Sequence, residues 1–255
     1  MDDRFETRIP SARNALEIFE GKWISKVPFF GLGYAGLFED PRIGYFDAAI
    51  GGFAGKTVIE LGPLDGGHTF VMSALGAGRI ISIESNKDAF LRCLVVKEVF
   101  NLNASFLCGD FVKYLASRPP RVDVIVASGV LYHMPDPLGL IEAMAETCDS
   151  ICIWTHYYDA AVIDQHDHLK QKFNDIREVD FRGRKLQVAT QSYQADVNRP
   201  DFAGGTQPQS TWIERDSMLS AFDALGFDVV VSGDHTDNPH GPCFTLVAQR
   251  RREPR

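Results

Sequence analysis

The sequence predicts an α/β fold, an open and mostly parallel sheet with helices between its strands. Two observations predict it. Short β-branched runs end in an acidic residue or a glycine turn, and segments with helical spacing of apolar residues follow them. The chain has 255 residues, 45% of them hydrophobic, which suffices for one sizeable core.

The first strand is the run Thr57, Val58, Ile59, with Glu60 at its carboxyl end. Gly62, Gly66 and Gly67 then permit a tight turn and close approach of a ligand to the backbone, and Phe70, Val71 and Leu75 have the spacing of a helix. Ligands of open α/β sheets bind beyond the carboxyl ends of the strands, so this turn is the expected floor of a cofactor pocket. A dinucleotide pyrophosphate needs a G-x-G-x-x-G turn. Here the second glycine position is Leu64, and Asp65 adds negative charge. S-adenosylmethionine has no phosphate and carries a positive sulfonium and ammonium, so an acid-rich glycine turn suits it better.

The next elements repeat the pattern. Arg79 to Ile83 forms a strand ending at Glu84, 24 residues after Glu60, where an acid can accept from both hydroxyls of a ribose. Asn86 to Asn101 reads as a helix, with Leu91, Leu94, Val95, Val99 and Phe100 as its apolar positions. Ser105 to Cys108 is a third strand that closes on Gly109 and Asp110, a carboxylate able to accept from an adenine amino group. Val122 to Ala127 is a fourth, leading into Ser128-Gly129-Val130-Leu131-Tyr132-His133-Met134-Pro135-Asp136-Pro137.

The segments ELGPLDGGH, the acid in SIESN, the acid in CGDF and ASGVLYHMPDP resemble, in order and spacing, the first four signature regions of class I S-adenosylmethionine-dependent methyltransferases. The likeness covers about residues 50 to 155 and, more weakly, the C-terminal strands. GVLYH and the helix after Glu84 are similar to the bacterial tRNA wobble-uridine carboxymethyltransferase and to bacterial small-molecule methyltransferases. Pro63 and Asp65 depart from the family pattern, which has small residues there. The resemblance implies a Rossmann-like, seven-stranded, mostly parallel sheet of order 3-2-1-4-5-7-6 with helices on both faces. It implies S-adenosyl-L-methionine as cofactor, held by Glu60, Gly62, Pro63, Gly66, His68, Glu84, Ser85, Asp110, Phe111, Ser128, Gly129 and Val130.

A fifth strand, Ser150 to Thr155, runs into His156-Tyr157-Tyr158. Residues 157–211 are too many for a plain crossover and read as a substrate-recognition insertion, with a helix near Val162 to Phe173 and a hairpin whose strands lie near Val179 to Phe181 and Lys185 to Ala189. Glu214 to Leu225 is an amphipathic helix capped by Gly226, and Phe227 to Ser232 and Cys243 to Gln249 are the closing antiparallel pair. The methyltransferase domain is expected over 51–255. Residues 1–50, with a helix at Ala12 to Glu20 and an aromatic stretch from Trp23 to Tyr45, are expected to cap the pocket. Gly31 to Gly36 matches G-x-G-x-x-G literally, but Asp40-Pro41 follows rather than a helical pattern, so it reads as a lid or turn.

Methyl transfer is an in-line displacement that mainly needs positioned reactants, with a base only where the acceptor loses a proton. His156 and His133, at the carboxyl edge, are the candidate bases, the alternative for each being a packing role beside the cofactor. Tyr157, Tyr158 and Trp212 are candidate acceptor walls, the alternative being the core. His166 and His168 lie two apart, which does not share a helix face, so with Asp164 and Asp167 they read as solvated, as do His235, Asp237 and His240. No metal is expected. Five irregularly spaced cysteines read as buried free thiols. A net charge of −8 and a pI near 5.4 argue against a nucleic-acid backbone as partner, and Arg250, Arg251, Arg252 and Arg255 read as a solvated tail. The opening MDDRFETRIP has no apolar leader core, and the expected location is cytoplasmic, without a membrane segment. The function expected is methyl transfer to an oxygen or nitrogen of a small-molecule or glycan-like acceptor, and a homodimer is compatible with it. The alternatives are a tRNA-modifying (carboxy)methyltransferase, a nicotinamide oxidoreductase and a non-catalytic S-adenosylmethionine-binding partner protein.

Overall fold

The β-branched runs fold into the expected strands, in a computed structural model that describes residues 4–193, 204–205 and 207–252. The first five are β1 (Thr57–Leu61), β2 (Arg79–Glu84), β3 (Ala104–Cys108), β4 (Val122–Ser128) and β5 (Cys148–His156). They are followed by β6 (Phe173–Phe181), β7 (Arg184–Ser192), β8 (Gln209–Ile213), β9 (Phe227–His235) and β10 (Cys243–Arg250). The helices are α1 (Ala12–Glu17), α2 (Pro41–Ala49), α3 (Gly67–Ala74), α4 (Lys87–Phe100), α5 (Phe111–Ala116), α6 (Pro137–Thr147), α7 (Ala160–Ile163), α8 (Asp167–Lys170) and α9 (Arg215–Ala224).

Seven strands form one sheet in the order β3-β2-β1-β4-β5-β10-β9, parallel from β3 to β5, with β10 antiparallel to both its neighbours. This is the predicted order 3-2-1-4-5-7-6, with β10 and β9 as the closing pair. Alternation along the strands sends Val58, Ile80, Val124 and Val126 to one face, where Met72 of α3, Val96 of α4 and Phe46 of α2 cover them. Ile59, Ile125, Ile151 and Leu246 face the other side, under Ile141 of α6 and Phe222 of α9. The N-terminal residues Leu16, Trp23 and Phe38 belong to the first of these cores.

Several elements differ from expectation. A helix does follow the Gly31–Gly36 segment: Asp40 caps α2 and Pro41 opens it, a start signal that outweighs the lack of helical apolar spacing. Gly31–Gly36 itself is a turn pinned by bridges between Val27 and Leu32 and between Ser25 and Ala35, with no strand leading into it. The expected helix over Val162 to Phe173 breaks into α7 and α8, because His166 is extended (φ −126°, ψ 101°), and Phe173 already begins β6. The expected hairpin gains a third strand, giving the antiparallel sheet β6-β7-β8. Arg250 is no tail: it ends β10 with its guanidinium over Phe227 and bonds Asp149, whereas Arg251 and Arg252 are exposed beyond it, Arg251 bonding Asp228, and Arg255 lies outside the described residues. Cys108 is exposed, because β3 is the sheet's edge, whereas the other four thiols are buried.

Candidate active site

The carboxyl ends of β1, β2, β3 and β4 meet at the glycine turn. Gly62 (φ 66°) and Gly66 (φ 80°) take the left-handed conformation that the strand-to-helix reversal demands, and Leu64 shares it at φ 56°. Gly66, buried, packs against Val96 and Phe106, and Pro63 is buried as well, so Gly62 and Leu64 are the parts of the turn left accessible. Glu84 stands beside them and accepts from the backbone N–H of Leu64 at 3.1 Å and of Asn86 at 2.8 Å. Burial raises its pKa, and these donors oppose that rise. Asp110 caps α5 by accepting from Val112 at 2.8 Å, leaving its second oxygen 4.0 Å from Lys113. Ser85 is exposed beside Glu84. At the end of β4 the Ser128 hydroxyl is buried without a partner, and Gly129 (φ 85°) donates its N–H to the Trp154 carbonyl at 2.9 Å.

The charge reading of the turn needs correction. Asp65 is fully buried and does not face a ligand. Its Oδ1 pairs with Arg92 Nε at 2.6 Å, and its Oδ2 accepts from the backbone N–H groups of Ile24 at 2.9 Å and Ser25 at 2.8 Å. The carboxylate therefore clips the N-terminal segment to the glycine turn, with its charge neutralised. Glu60 is also buried; its Oε2 accepts from Thr69 and, at 2.8 Å, from Ser82, its Oε1 has no partner, and burial raises its pKa. His68 Nε2 meets Asp40 Oδ2 at 2.7 Å. Although burial acts to raise the Asp40 pKa, hydrogen bonds from His68 and Arg42 hold it well below the usual carboxylate range. Phe111 and Val130 pack in the core beneath the turn.

The space above Gly67 decides what the turn can bind. A Cβ there would lie 2.8 Å from the carbonyl carbon of Leu37, so the protein's own chain closes the amino terminus of α3, where a pyrophosphate would rest. Around it stand the half-buried backbone of Gly62 and Leu64, the carboxylates of Glu84 and Asp110, and the Ser128 hydroxyl, which is buried without a partner. These acceptors suit the hydroxyls, amine and positive centre of S-adenosylmethionine, and with Leu37 over the start of α3 a pyrophosphate finds no seat there.

A second cleft, of about 310 Å³, opens next to Gly129. Thr211 donates its N–H to Met134 and its hydroxyl to the Pro135 carbonyl, at 2.8 Å each, which docks β8 on the segment after β4. This contact brings Trp212 onto His156, stacked at 5.1 Å and 11°. Tyr132 meets the His156 ring edge-on at 4.8 Å, and Trp154 does so at 5.2 Å. His156 Nδ1 lies 2.9 Å from the Gly241 carbonyl and 3.2 Å from that of Pro242, so it carries the proton, and Nε2 keeps the lone pair. Burial lowers the His156 pKa, against the raising effect of those carbonyls. His133 pairs through Nδ1 with the Tyr193 hydroxyl at 2.8 Å, and burial pushes its pKa down to about 4.

Of the expected acceptor walls, Trp212 lines this cleft, whereas Tyr157 and Tyr158 do not. Successive residues of an extended chain point to opposite sides. Tyr157 is turned into the core against Phe244 and donates to Asp234 at 2.7 Å; Tyr158 packs behind the cleft on Phe173. Lys172, Gln191, Tyr193 and His240 line the cleft without having been singled out as site residues from sequence. Lys172 and Gln191 occupy the insertion, where only an apolar cluster assembled by β8 gives them a common position. His166 and His168 lie with their rings 5.8 Å apart, and His168 meets the Pro239 carbonyl. Among the described residues no group of three or more His, Cys, Asp or Glu is placed to hold a metal, and no helix is long and apolar enough to cross a membrane.

Solved structures share this architecture from end to end. The N-terminal domain of EvdMO1 with SAH bound superposes with a TM-score of 0.71 at 22% identity, covering 97% of this chain and 100% of that one. The chain has the class I S-adenosylmethionine-dependent methyltransferase fold. The same EvdMO1 domain in the presence of SAH and D-fucose gives 0.69 at 23% identity, covering 94% of this chain and 95% of that one, and this chain spans 46% of the longer EvdMO1 chain. Magnesium protoporphyrin IX methyltransferase from Synechocystis PCC 6803 with SAH gives 0.55 at 15% identity, covering 89% and 90%. No family model and no curated protein sequence matches the chain.

Proposed function

We propose that the protein is an S-adenosylmethionine-dependent methyltransferase acting on an oxygen or nitrogen of a small, ring-sized acceptor, glycan-like molecules included. The observation that carries the reading is the pair of adjoining sites. One is a glycine turn flanked by the Glu84 and Asp110 carboxylates with Leu37 over the start of α3, which supports a nucleoside without phosphate, and the other is an aromatic cleft with an oriented histidine. Similar folds have been solved with SAH, and one of them in the presence of D-fucose, which supports both halves.

Bound S-adenosylmethionine supplies an electrophilic methyl group activated by its sulfonium. Glu84 accepts from the ribose hydroxyls, and Asp110 offers the oxygen not used in capping α5 to the adenine amino group. Gly62, Ser85, Ser128 and Gly129 present the remaining polar and backbone contacts. Trp212, Trp154 and Tyr132 exclude water and orient the acceptor ring. His156 receives the acceptor proton at Nε2, because the Gly241 and Pro242 carbonyls hold the Nδ1 proton in place. His133, spent on Tyr193, supports the wall of the cleft.

Calorimetric titration with S-adenosylmethionine, S-adenosylhomocysteine and NADH tests the reading. Micromolar binding of the first two and none of NADH is expected, and binding of NADH alone overturns it. Glu84→Ala is expected to weaken S-adenosylmethionine binding by about 1–3 kcal/mol, the scale of leaving polar partners unmatched.

A further inference from the structure

Among its described lining residues, the acceptor cleft of this acidic protein carries a lysine and no acid. The chain carries a net charge of −8, yet no Asp or Glu side chain lines the cleft among the described residues. Lys172 does line it, and its ammonium makes no ion pair among the described residues, in contrast with Lys170 nearby, which pairs with Asp164 at 3.2 Å. The half-buried Lys172 is anchored by its backbone: its N–H donates to Leu169, and its carbonyl accepts from Ser192 at the end of β7. His240 stands at the rim, and the buried Gln191 accepts from Ser210 through its Oε1 at 3.0 Å, which fixes its amide.

A lysine that lines an aromatic cleft and makes no ion pair among the described residues can pair with an anionic ligand, and low-dielectric walls strengthen its field. We propose that the acceptor is an anion: a ring-sized molecule bearing a carboxylate or phosphate that Lys172 recognises, with its nucleophilic atom turned toward His156. The ring stacks among Trp212, Trp154 and Tyr132, and the anionic group supplies the charge-assisted hydrogen bond that orients it. This inference rests on the methyltransferase reading of the same cleft.

The test is calorimetric titration of the full chain saturated with S-adenosylhomocysteine, using D-glucuronate, D-glucose 1-phosphate and D-glucose, and 4-hydroxybenzoate against phenol. At least one charged probe is expected to bind on the order of tenfold tighter than its neutral counterpart, the scale of a hydrogen bond to a charged group. The carboxylate and phosphate arms tell which anion is read. Lys172→Met is expected to erase the preference and Lys172→Arg to keep it, with S-adenosylhomocysteine affinity unchanged in both. Equal binding of charged and neutral probes, no binding by any probe, or a preference that survives Lys172→Met overturns the inference. Failure of S-adenosylhomocysteine to bind the wild-type chain instead overturns the methyltransferase reading, so the two failures are distinct.

Discussion

Replacing Asp65 separates two roles for an acid in the glycine turn, attraction of a positive cofactor or attachment of the N-terminal segment. In the structure the Asp65 side chain is fully buried, its Arg92 partner is 7% exposed, and two backbone N–H groups from Ile24 and Ser25 depend on the same carboxylate. Removing one partner of a buried pair leaves an uncompensated charge and typically costs about 3–5 kcal/mol. For a chain of this size each kcal/mol moves Tm by about 2–4 °C, so Asp65→Ala is expected to lower Tm by about 6–20 °C in a calorimetric scan. Asp65→Asn, which keeps an acceptor for Ile24 and Ser25, is expected to lose less and provides a folded variant. The double variant Asp65→Leu/Arg92→Leu is expected to be less destabilised than the two single changes together, since they share one interaction. Cofactor affinity per folded molecule of Asp65→Asn is expected to match wild type. A loss under about 1 kcal/mol, the level of an exposed pair, together with a drop in S-adenosylmethionine affinity would refute the clip and restore the electrostatic role.

Three further outcomes follow from the same geometry. Gly67→Ala places a methyl 2.8 Å from the Leu37 backbone and is expected to cost about 1–3 kcal/mol in urea unfolding, with faster proteolysis of the segment before α2. His133 has a folded pKa of about 4 against 6.5 for the free side chain, so between those values the unfolded chain binds more protons; stability is expected to fall as pH drops through this window, by on the order of 1–3 kcal/mol, and His133→Gln should flatten that part of the curve. His156→Asn is expected to lower kcat by about 10²–10⁴-fold with S-adenosylmethionine affinity preserved, and the wild-type acid limb should lie below pH 6.5 because burial depresses this histidine.

Local pattern carried the main sheet. Strand runs such as Thr57 to Ile59 and the helix from Asn86 read directly, because period-2 and 3.6-residue spacing are properties of neighbouring residues. The same holds for Glu84, which ends β2, and Asp110, two residues past β3, which lie at the carboxyl edge in any parallel sheet of this order. Trp212 in β8 was harder: a strand five residues long pairs only with β7 and rests on Met134 and Pro135, partners remote in sequence. Lys172 and His240 were invisible as site residues for that reason, since 68 positions separate them and only the folded insertion brings both to one cleft.

What the sequence by itself determined was therefore the order of strands and helices, the glycine turn, and which acids stand at strand ends, all consequences of local spacing and turn chemistry. Tertiary structure alone decided which of those groups face a ligand. Asp65 is consumed by Arg92, 27 positions away, and by Ile24 and Ser25, 41 and 40 positions away; Gly67 is covered by Leu37; and Tyr157 turns inward where His156 turns to the cleft. A charge acts on a ligand only where no closer partner neutralises it, and the identity of the closest partner is a property of the packed chain.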